Sequence, residues 1–442
     1  MQSKVSIVIP CYNKEKFIGG MFDSILAQEW DNIELILVND GSTDNTRNII
    51  AEYESKFVTR GYEVVIIDQE NQGVSAAVRN GLLQVTGEYV CQIDADDSLD
   101  PQYASMMAKW LDENPDYDWV ACDANVVAEE SEYGFHTFPN GITVDFTLDK
   151  WILERVNNSC WVYMIRVVYM RDCKVDENFY VGRDGNQEAQ FFLPLFIGGG
   201  NIGYIHEALY IYNKREPITH RSHRENYEKA KARWHGFDNA FGKIINSLPI
   251  DDIEKTRLSA ISELWHGAKL LYDSNEKSVN SQNRTEAGRN FCELVKRYFT
   301  PSTCVNWDVV HENCLLLCTA VIDNIMGTKV VKLKIPNGRI IAWGALGRNA
   351  SFLLPLLVGS ELEPDELWDL AGDGQFVTKP EVEKLRSDDL VLIMPVLNGG
   401  IVSAMSKSGC QNKLFQEDIL SYLAVIKFPY FYDNTIHFTM QR

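Results

Sequence analysis

None of the ten cysteines in this 442-residue chain pairs with another as CxxC, and several lie inside apolar runs such as Tyr89-Val90-Cys91 and Val120-Ala121-Cys122. They read as buried thiols in a reducing compartment rather than as a redox or zinc motif. Long hydrophobic runs are missing as well. No stretch approaches the roughly 18 to 20 apolar residues that span a bilayer, and the run from Val5 to Pro10 is too short for the core of a signal peptide. The expected compartment is the cytoplasm. Positive charge is scarce: 42 Lys plus Arg stand against 62 Asp plus Glu, for a net charge of -20. A field of that sign repels phosphate backbones and anionic lipid, so nucleic acid is not an expected partner. There is no repeat of fixed period and no low-complexity tract. What remains is a globular composition, 45% hydrophobic and 24% charged, in a length that suits two or three domains.

The first 130 residues alternate short β-rich runs with helical stretches, the pattern of a mostly parallel sheet with crossover helices. Strands are expected at 5–9, 34–38, 63–67 and 88–93, and helices at 14–28, 46–53 and 74–83. The first helix rests on Phe17, Ile18, Met21, Phe22 and Ile25 at three- and four-residue spacing. From Tyr227 to about Met326 the apolar positions keep a helical period. A second α/β pattern starts at Arg339-Ile-Ile-Ala-Trp343, with further strands at Glu366-Leu-Trp-Asp-Leu370 and Leu390-Val-Leu-Ile-Met394. The expected domains are therefore 1–223, a helical region at 224–330, and 331–442.

The polar residues that carry chemistry fall at successive strand ends, on the C-terminal edge where open α/β sheets bind ligands. They are Pro10-Cys-Tyr12-Asn13, Asn39-Asp40-Gly-Ser-Thr-Asp44, Asn71-Gln-Gly73 and Asp94-Ala-Asp96-Asp97. Asp40, on a turn rich in Gly and Ser, can accept a hydrogen bond from a nucleobase imide or simply close an Asx-turn, and Asp44 suits a helix cap. Asn71 and Gly73 permit close backbone approach to a ligand. Asp94 and Asp96 offer oxygen ligands to a hard divalent cation, with a diphosphate supplying the rest, and Arg79 adds a fixed positive charge.

With these four segments the chain resembles the family 2 glycosyltransferases of the GT-A fold. The matching runs are Val8-Ile-Pro-Cys-Tyr-Asn13, Val38-Asn-Asp-Gly-Ser-Thr-Asp44, Asn71-Gln-Gly-Val-Ser-Ala-Ala-Val-Arg-Asn80 and Asp94-Ala-Asp-Asp97, spread over roughly residues 3 to 215. The resemblance implies an α/β GT-A nucleotide-diphospho-sugar transferase fold with a mostly parallel central sheet. It implies transfer of a sugar, with inversion, from a nucleotide diphosphate donor (a UDP-sugar by analogy) to the hydroxyl of a sugar or glycoconjugate, as in surface polysaccharide synthesis. Mg²⁺ or Mn²⁺ would sit on Asp96 and Asp94. A lipid-linked acceptor would bring the protein to the inner face of the membrane.

One departure concerns the base. The family carries a Glu-Asp pair before a helix, and here Gln187 replaces the Glu while Glu188 stands at the base position, with Asp184 as a rival four residues earlier. Residues 214–233 are locally +4, with seven Lys or Arg against three Glu, and the resemblance places His220 or Arg221 over the diphosphate. In the last region Gly344-Ala-Leu-Gly347 follows a strand and opens a helix, and Asp369 ends the next strand. A dinucleotide fingerprint needs glycine where Leu346 and Asn349 stand, so this small Rossmann-like part is expected to pack or to bind a partner. Two other readings stay open, a non-catalytic nucleotide-sugar scaffold and a sugar-phosphate nucleotidyltransferase. The second lacks its glycine-rich loop, because Pro10-Cys-Tyr-Asn-Lys-Glu-Lys16 holds no glycine.

Overall fold

The computed structural model describes residues 2–128, 131–135, 159–178, 187–214, 227–274, 281–298, 316, 318–320, 322, 337–372, 376–394 and 399–427. The chain divides into two compact units, Met1–Thr219 with Ala232–Ser259, and His220–Lys231 with Ala260–Arg442. No helix among the described residues is long and apolar enough to cross a membrane.

The first unit is built on one sheet. Its parallel half consists of β1 (Val5–Cys11), β2 (Ile33–Asp40), β3 (Glu63–Gln69) and β4 (Tyr89–Gln92). These strands lie in the order β3-β2-β1-β4, all parallel. Every residue of β2 is buried, as expected for a strand covered on both faces by crossover helices. The helices are α1 (Ile18–Leu26), α2 (Thr46–Arg60) and α3 (Val74–Leu82). In α1 the buried residues Ile18, Met21, Phe22 and Ile25 form one face. A Cβ on Gly81 of α3 would come 2.4 Å from Val8 Cγ1, so glycine there lets the helix lie close on β1.

The sheet continues through β5 (Ser98–Leu99), β6 (Trp119–Ala128), β7 (Ser131–Phe135), β8 (Tyr163–Arg166) and β9 (Ile202–Lys214). The order beyond β4 is β8-β6-β9-β5, with β7 beside β6. Here β8 runs antiparallel to β4 and β6, and β5 runs antiparallel to β9. Helix α4 (Tyr103–Glu113) precedes β6, and an aromatic cluster of Trp119, Tyr163 and Phe192 seats the helix α5 (Gln187–Gly198) on this half.

Two helices differ from their expected bounds. The first starts at Ile18 because the Lys14 carbonyl accepts Phe17 N and Ile18 N, which makes a turn of residues 14–17. The second runs on to Arg60, with Phe57 buried, and ends where Gly61 takes φ +94°.

Helices α6 (Tyr227–Ser247), α7 (Asp252–Ser274) and α8 (Ser281–Tyr298) follow, in the region of helical periodicity. The second unit then forms a four-stranded parallel sheet of β10 (Ile340–Trp343), β11 (Glu366–Trp368), β12 (Leu390–Ile393) and β13 (Lys413–Leu414), ordered β11-β10-β12-β13. Its core packs Trp343 edge-on to Trp368 at 5.4 Å, with Ile341, Val391, Ile393, Met405 and Phe415 around them.

Asp389, fully buried just before β12, ties the bottom of this sheet. It accepts Arg339 Nη2 at 2.6 Å and Arg386 Nη2 at 3.0 Å, and both backbone amides as well. Burial alone would raise its pKa, but the bonds from Arg339 and Arg386 outweigh it and hold the carboxyl well below the usual carboxylate range. Its stabilisation is therefore complete above about pH 4 and is lost as the pH falls through the lowered folded value. We expect Asp389→Asn to weaken the protein at about pH 7 and to flatten its loss of stability toward about pH 3, read by urea unfolding of the full chain.

Candidate active site

Register brings the polar strand ends to one edge. Cys11 pairs with Asn39 and Asn39 with Asp68, so β1, β2 and β3 finish level. Gln92 pairs with Val8, and Ile93 N donates to Val8 O at 3.0 Å, so the 94–97 turn emerges beside the end of β1.

The first two loops are laced together. Asn13, at φ +51°, accepts Thr43 N through its Oδ1 at 2.8 Å, while its own N donates to Ser42 Oγ at 3.2 Å. Asp44 accepts Thr46 N and Glu15 N, each at 3.0 Å, and so caps the start of α2. Pro10 is half-buried at the end of β1, and Tyr12 stands out with 44% of its surface exposed.

Asp40 is 97% buried by its neighbours, with 3% of its surface exposed. Its Oδ1 accepts Gln69 Nε2 at 2.8 Å and Gln72 N at 2.9 Å, and its Oδ2 accepts Gly73 N at 2.9 Å. The carboxylate thus shapes the turn carrying Asn71 and Gly73. Gly41 passes against that turn: it has φ +68°, and a Cβ there would lie 2.7 Å from Asn71 N. Gly73 takes φ +92° at the start of α3, and Arg79, in the last turn of that helix, is half-buried. Removing the Asp40 carboxylate leaves two backbone N–H groups without their acceptor. We expect Asp40→Ala to cost about 3 kcal/mol in denaturant unfolding, because each orphaned buried group costs roughly 1 to 3 kcal/mol.

The 94–97 turn concentrates negative charge. Asp94 accepts Gln92 Nε2 at 3.0 Å, and its pKa is pushed up to about 7 by burial and by the charges of Asp97, Asp96 and Glu188. Asp96 pairs with Lys14 Nζ at 2.5 Å, both side chains being about one-third exposed. Asp97 is buried and accepts Tyr210 OH at 2.6 Å and Asn213 N at 2.9 Å, which fastens the turn to the end of β9.

Glu188 reaches this cluster because α5 starts beside β4. Gln187, buried at the first position of α5, donates from Nε2 to Gln92 Oε1 at 2.5 Å. A Glu in place of Gln187 would set another buried carboxylate against an acceptor oxygen near Asp94, so the neutral amide suits the position. Deeper in α5, Gln190 Nε2 donates to Ser75 Oγ at 3.2 Å on α3.

The structure therefore brings Pro10, Tyr12, Asn13, Asp40, Asn71, Gly73, Asp94, Asp96 and Glu188 to one edge of one sheet, while Arg79 lies in the last turn of α3. Asp184, His220 and Arg221 lie outside the described residues. Lys14, Asp97, Gln92 and Gln187 also belong to the constellation. Lys14 and Asp97 adjoin motif residues, which is a signal, whereas the partners Tyr210 and Asn213 fall in a stretch without any motif.

Among the described residues no group of three or more His, Cys, Asp or Glu side chains is arranged to hold a metal ion unaided. Asp94 and Asp96 are hard oxygen donors, and the charges of Asp97 and Glu188 act at the same place. That donor set fits a divalent cation whose remaining ligands come from a bound diphosphate and water.

A sheet of this order, with carboxylates at the end of β4 and polar loops after β1 to β3, has the architecture of the GT-A fold. Residues 6–168 match the family described as Glycosyl transferase family 2. The chain is 27% identical over 238 residues to the uncharacterized glycosyltransferase YibD of Escherichia coli, covering 51% of this chain and 67% of that protein. It is 28% identical over 215 residues to the minor teichoic acid biosynthesis protein GgaB of Bacillus subtilis, covering 48% of this chain and only 23% of GgaB. In structure it is similar to S. aureus TarS 1–349, solved in complex with UDP-GlcNAc, with a TM-score of 0.52 at 17% identity, covering 76% of this chain and 95% of that one. At that identity the likeness shows the fold alone.

Proposed function

We propose that the chain is an inverting, metal-dependent glycosyltransferase that moves a sugar from a UDP-sugar to the hydroxyl of a cell-surface polysaccharide or glycoconjugate. The observation that supports it most is the convergence of Asp94, Asp96 and Glu188 at the end of β4, with Glu188 close enough to raise the pKa of Asp94. The name of GgaB, a minor teichoic acid biosynthesis protein, supports the direction toward cell-surface polymers.

In this reading the donor's nucleoside lies over the ends of β1 to β3. The exposed Tyr12 ring offers a face to the base, and Asp40 uses the acceptor capacity left by its three protein bonds on the base's imide. Pro10, Asn13, Asn71 and Gly73 shape the floor, and Arg79, with His220 or Arg221, meets the phosphates. A divalent cation on Asp96 and Asp94 would offset charge on the departing diphosphate. The acceptor oxygen attacks the anomeric carbon as its bond to the phosphate oxygen breaks, and that oxygen leaves with the bonding pair. Glu188 takes the proton of the attacking hydroxyl, and Asp184 is the rival for that task. The division at 223 and 330, with a packing or partner-binding part for 331–442, belongs to the same reading.

Thermal melting of the full chain with a panel of nucleotide sugars, with and without Mn²⁺, tests it. A ligand that binds only the folded state stabilises it by about 2.7 kcal/mol at a hundred times its Kd. At least one uridine nucleotide sugar should raise the melting temperature, and more so with Mn²⁺. Melting unchanged across the whole panel would contradict the reading.

A further inference from the structure

We infer that Lys14 is a donor-positioning residue that exchanges partners, holding Asp96 when the cleft is free of donor and moving to the donor's diphosphate when a cation takes Asp96. The inference rests on the reading of this cleft as a nucleotide-sugar site. Lys14 and Asp96 sit on loops after adjacent strands, and their contact crosses the edge between β1 and β4. The lysine's backbone is anchored. Its N donates to Thr46 Oγ1 at 2.7 Å, and its carbonyl accepts the first amides of the turn into α1. Its four-carbon stem is free to swing from that fixed point.

Three physical points give the exchange its direction. Both side chains are about one-third exposed, so breaking the pair strands no buried charge, and such pairs are weak in water. A cation arriving at Asp96 repels the ammonium at close range, and the Asp94, Asp97 and Glu188 carboxylates nearby keep the cation there. A diphosphate carries more negative charge than the single carboxylate it replaces, so the displaced ammonium gains a stronger partner within the sweep of its stem. Lys14 therefore competes with the cation in the absence of donor and cooperates with it in the donor's presence.

The test is calorimetric titration of the full-length protein and of Lys14→Met, first with MnCl₂ alone and then with UDP at saturating Mn²⁺. The exchange predicts opposite signs. Mn²⁺ alone should bind Lys14→Met about tenfold more tightly, since its competitor is gone, while UDP should bind about tenfold more weakly. Lys14→Arg should restore most of the UDP affinity, and matched melting curves show that the variants are folded. If Mn²⁺ binds more tightly but UDP affinity is unchanged, Lys14 is only a counter-ion of Asp96 and the inference is overturned. Two unchanged constants, or weakening of both, overturn it as well. Should the unaltered protein bind neither UDP nor any other nucleoside diphosphate, the reading of the cleft itself fails, which is a separate result.

Discussion

Asp96→Ala is expected to lower sugar transfer by about 10³-fold or more and to remove the Mn²⁺ dependence of nucleoside diphosphate binding. Losing one preorganised charge-stabilising group in an active site costs on the order of 10² to 10³ in rate, and here the lost group also anchors the cation. Asp94 alone is a poor substitute, because burial, the largest cause of its raised pKa, persists without Asp96. The variant also frees Lys14 Nζ from its 2.5 Å contact in the donor-free cleft. Asp96→Asn keeps the shape without the charge and separates the two effects. Calorimetry checks the binding side, and metal-dependent binding that survives unchanged in Asp96→Ala would remove Asp96 from the site.

Glu188→Gln is expected to leave donor and metal affinity nearly intact while lowering kcat by about 10² or more, because proton transfer is lost and binding is not. The placement argues for it: Gln187, at the start of α5, bonds to Gln92 at the end of β4, and the charge of the adjoining Glu188 acts on Asp94. A base works only when deprotonated, so the rate should rise with pH through the pKa of the base, and that rise should vanish in Glu188→Gln. Asp184→Asn should cost less. The opposite ranking in steady-state kinetics moves the base to Asp184.

The parallel half of the first unit was legible in the sequence because each signal there is local. A β-rich run, a polar strand end and an apolar helical face follow one another within about thirty residues, as a βαβ unit requires. The antiparallel half was not. Its organising contacts join distant residues: Asp97 with Tyr210 and Asn213, and Gln92 with Gln187, pairs that no spacing rule connects. Asp40 shows a subtler limit. Its turn was readable from Asn39-Asp-Gly-Ser42, but not that Gln69, Gln72 and Gly73 would take three of its acceptor positions, because that depends on β2 and β3 ending level. Lys14 is hidden for a similar reason, since a lysine beside Asn13 looks like solvated surface until the register sets Asp96 next to it.

The most direct measurement is nucleoside diphosphate release from a panel of nucleotide sugars by the purified full-length protein with Mn²⁺, beside Asp96→Ala and Glu188→Gln. The expected result is release from at least one uridine nucleotide sugar, accelerated by a sugar acceptor, abolished by Asp96→Ala and strongly slowed by Glu188→Gln. Release from no donor, or turnover that both variants retain in full, would contradict a glycosyltransferase centre at the end of β4.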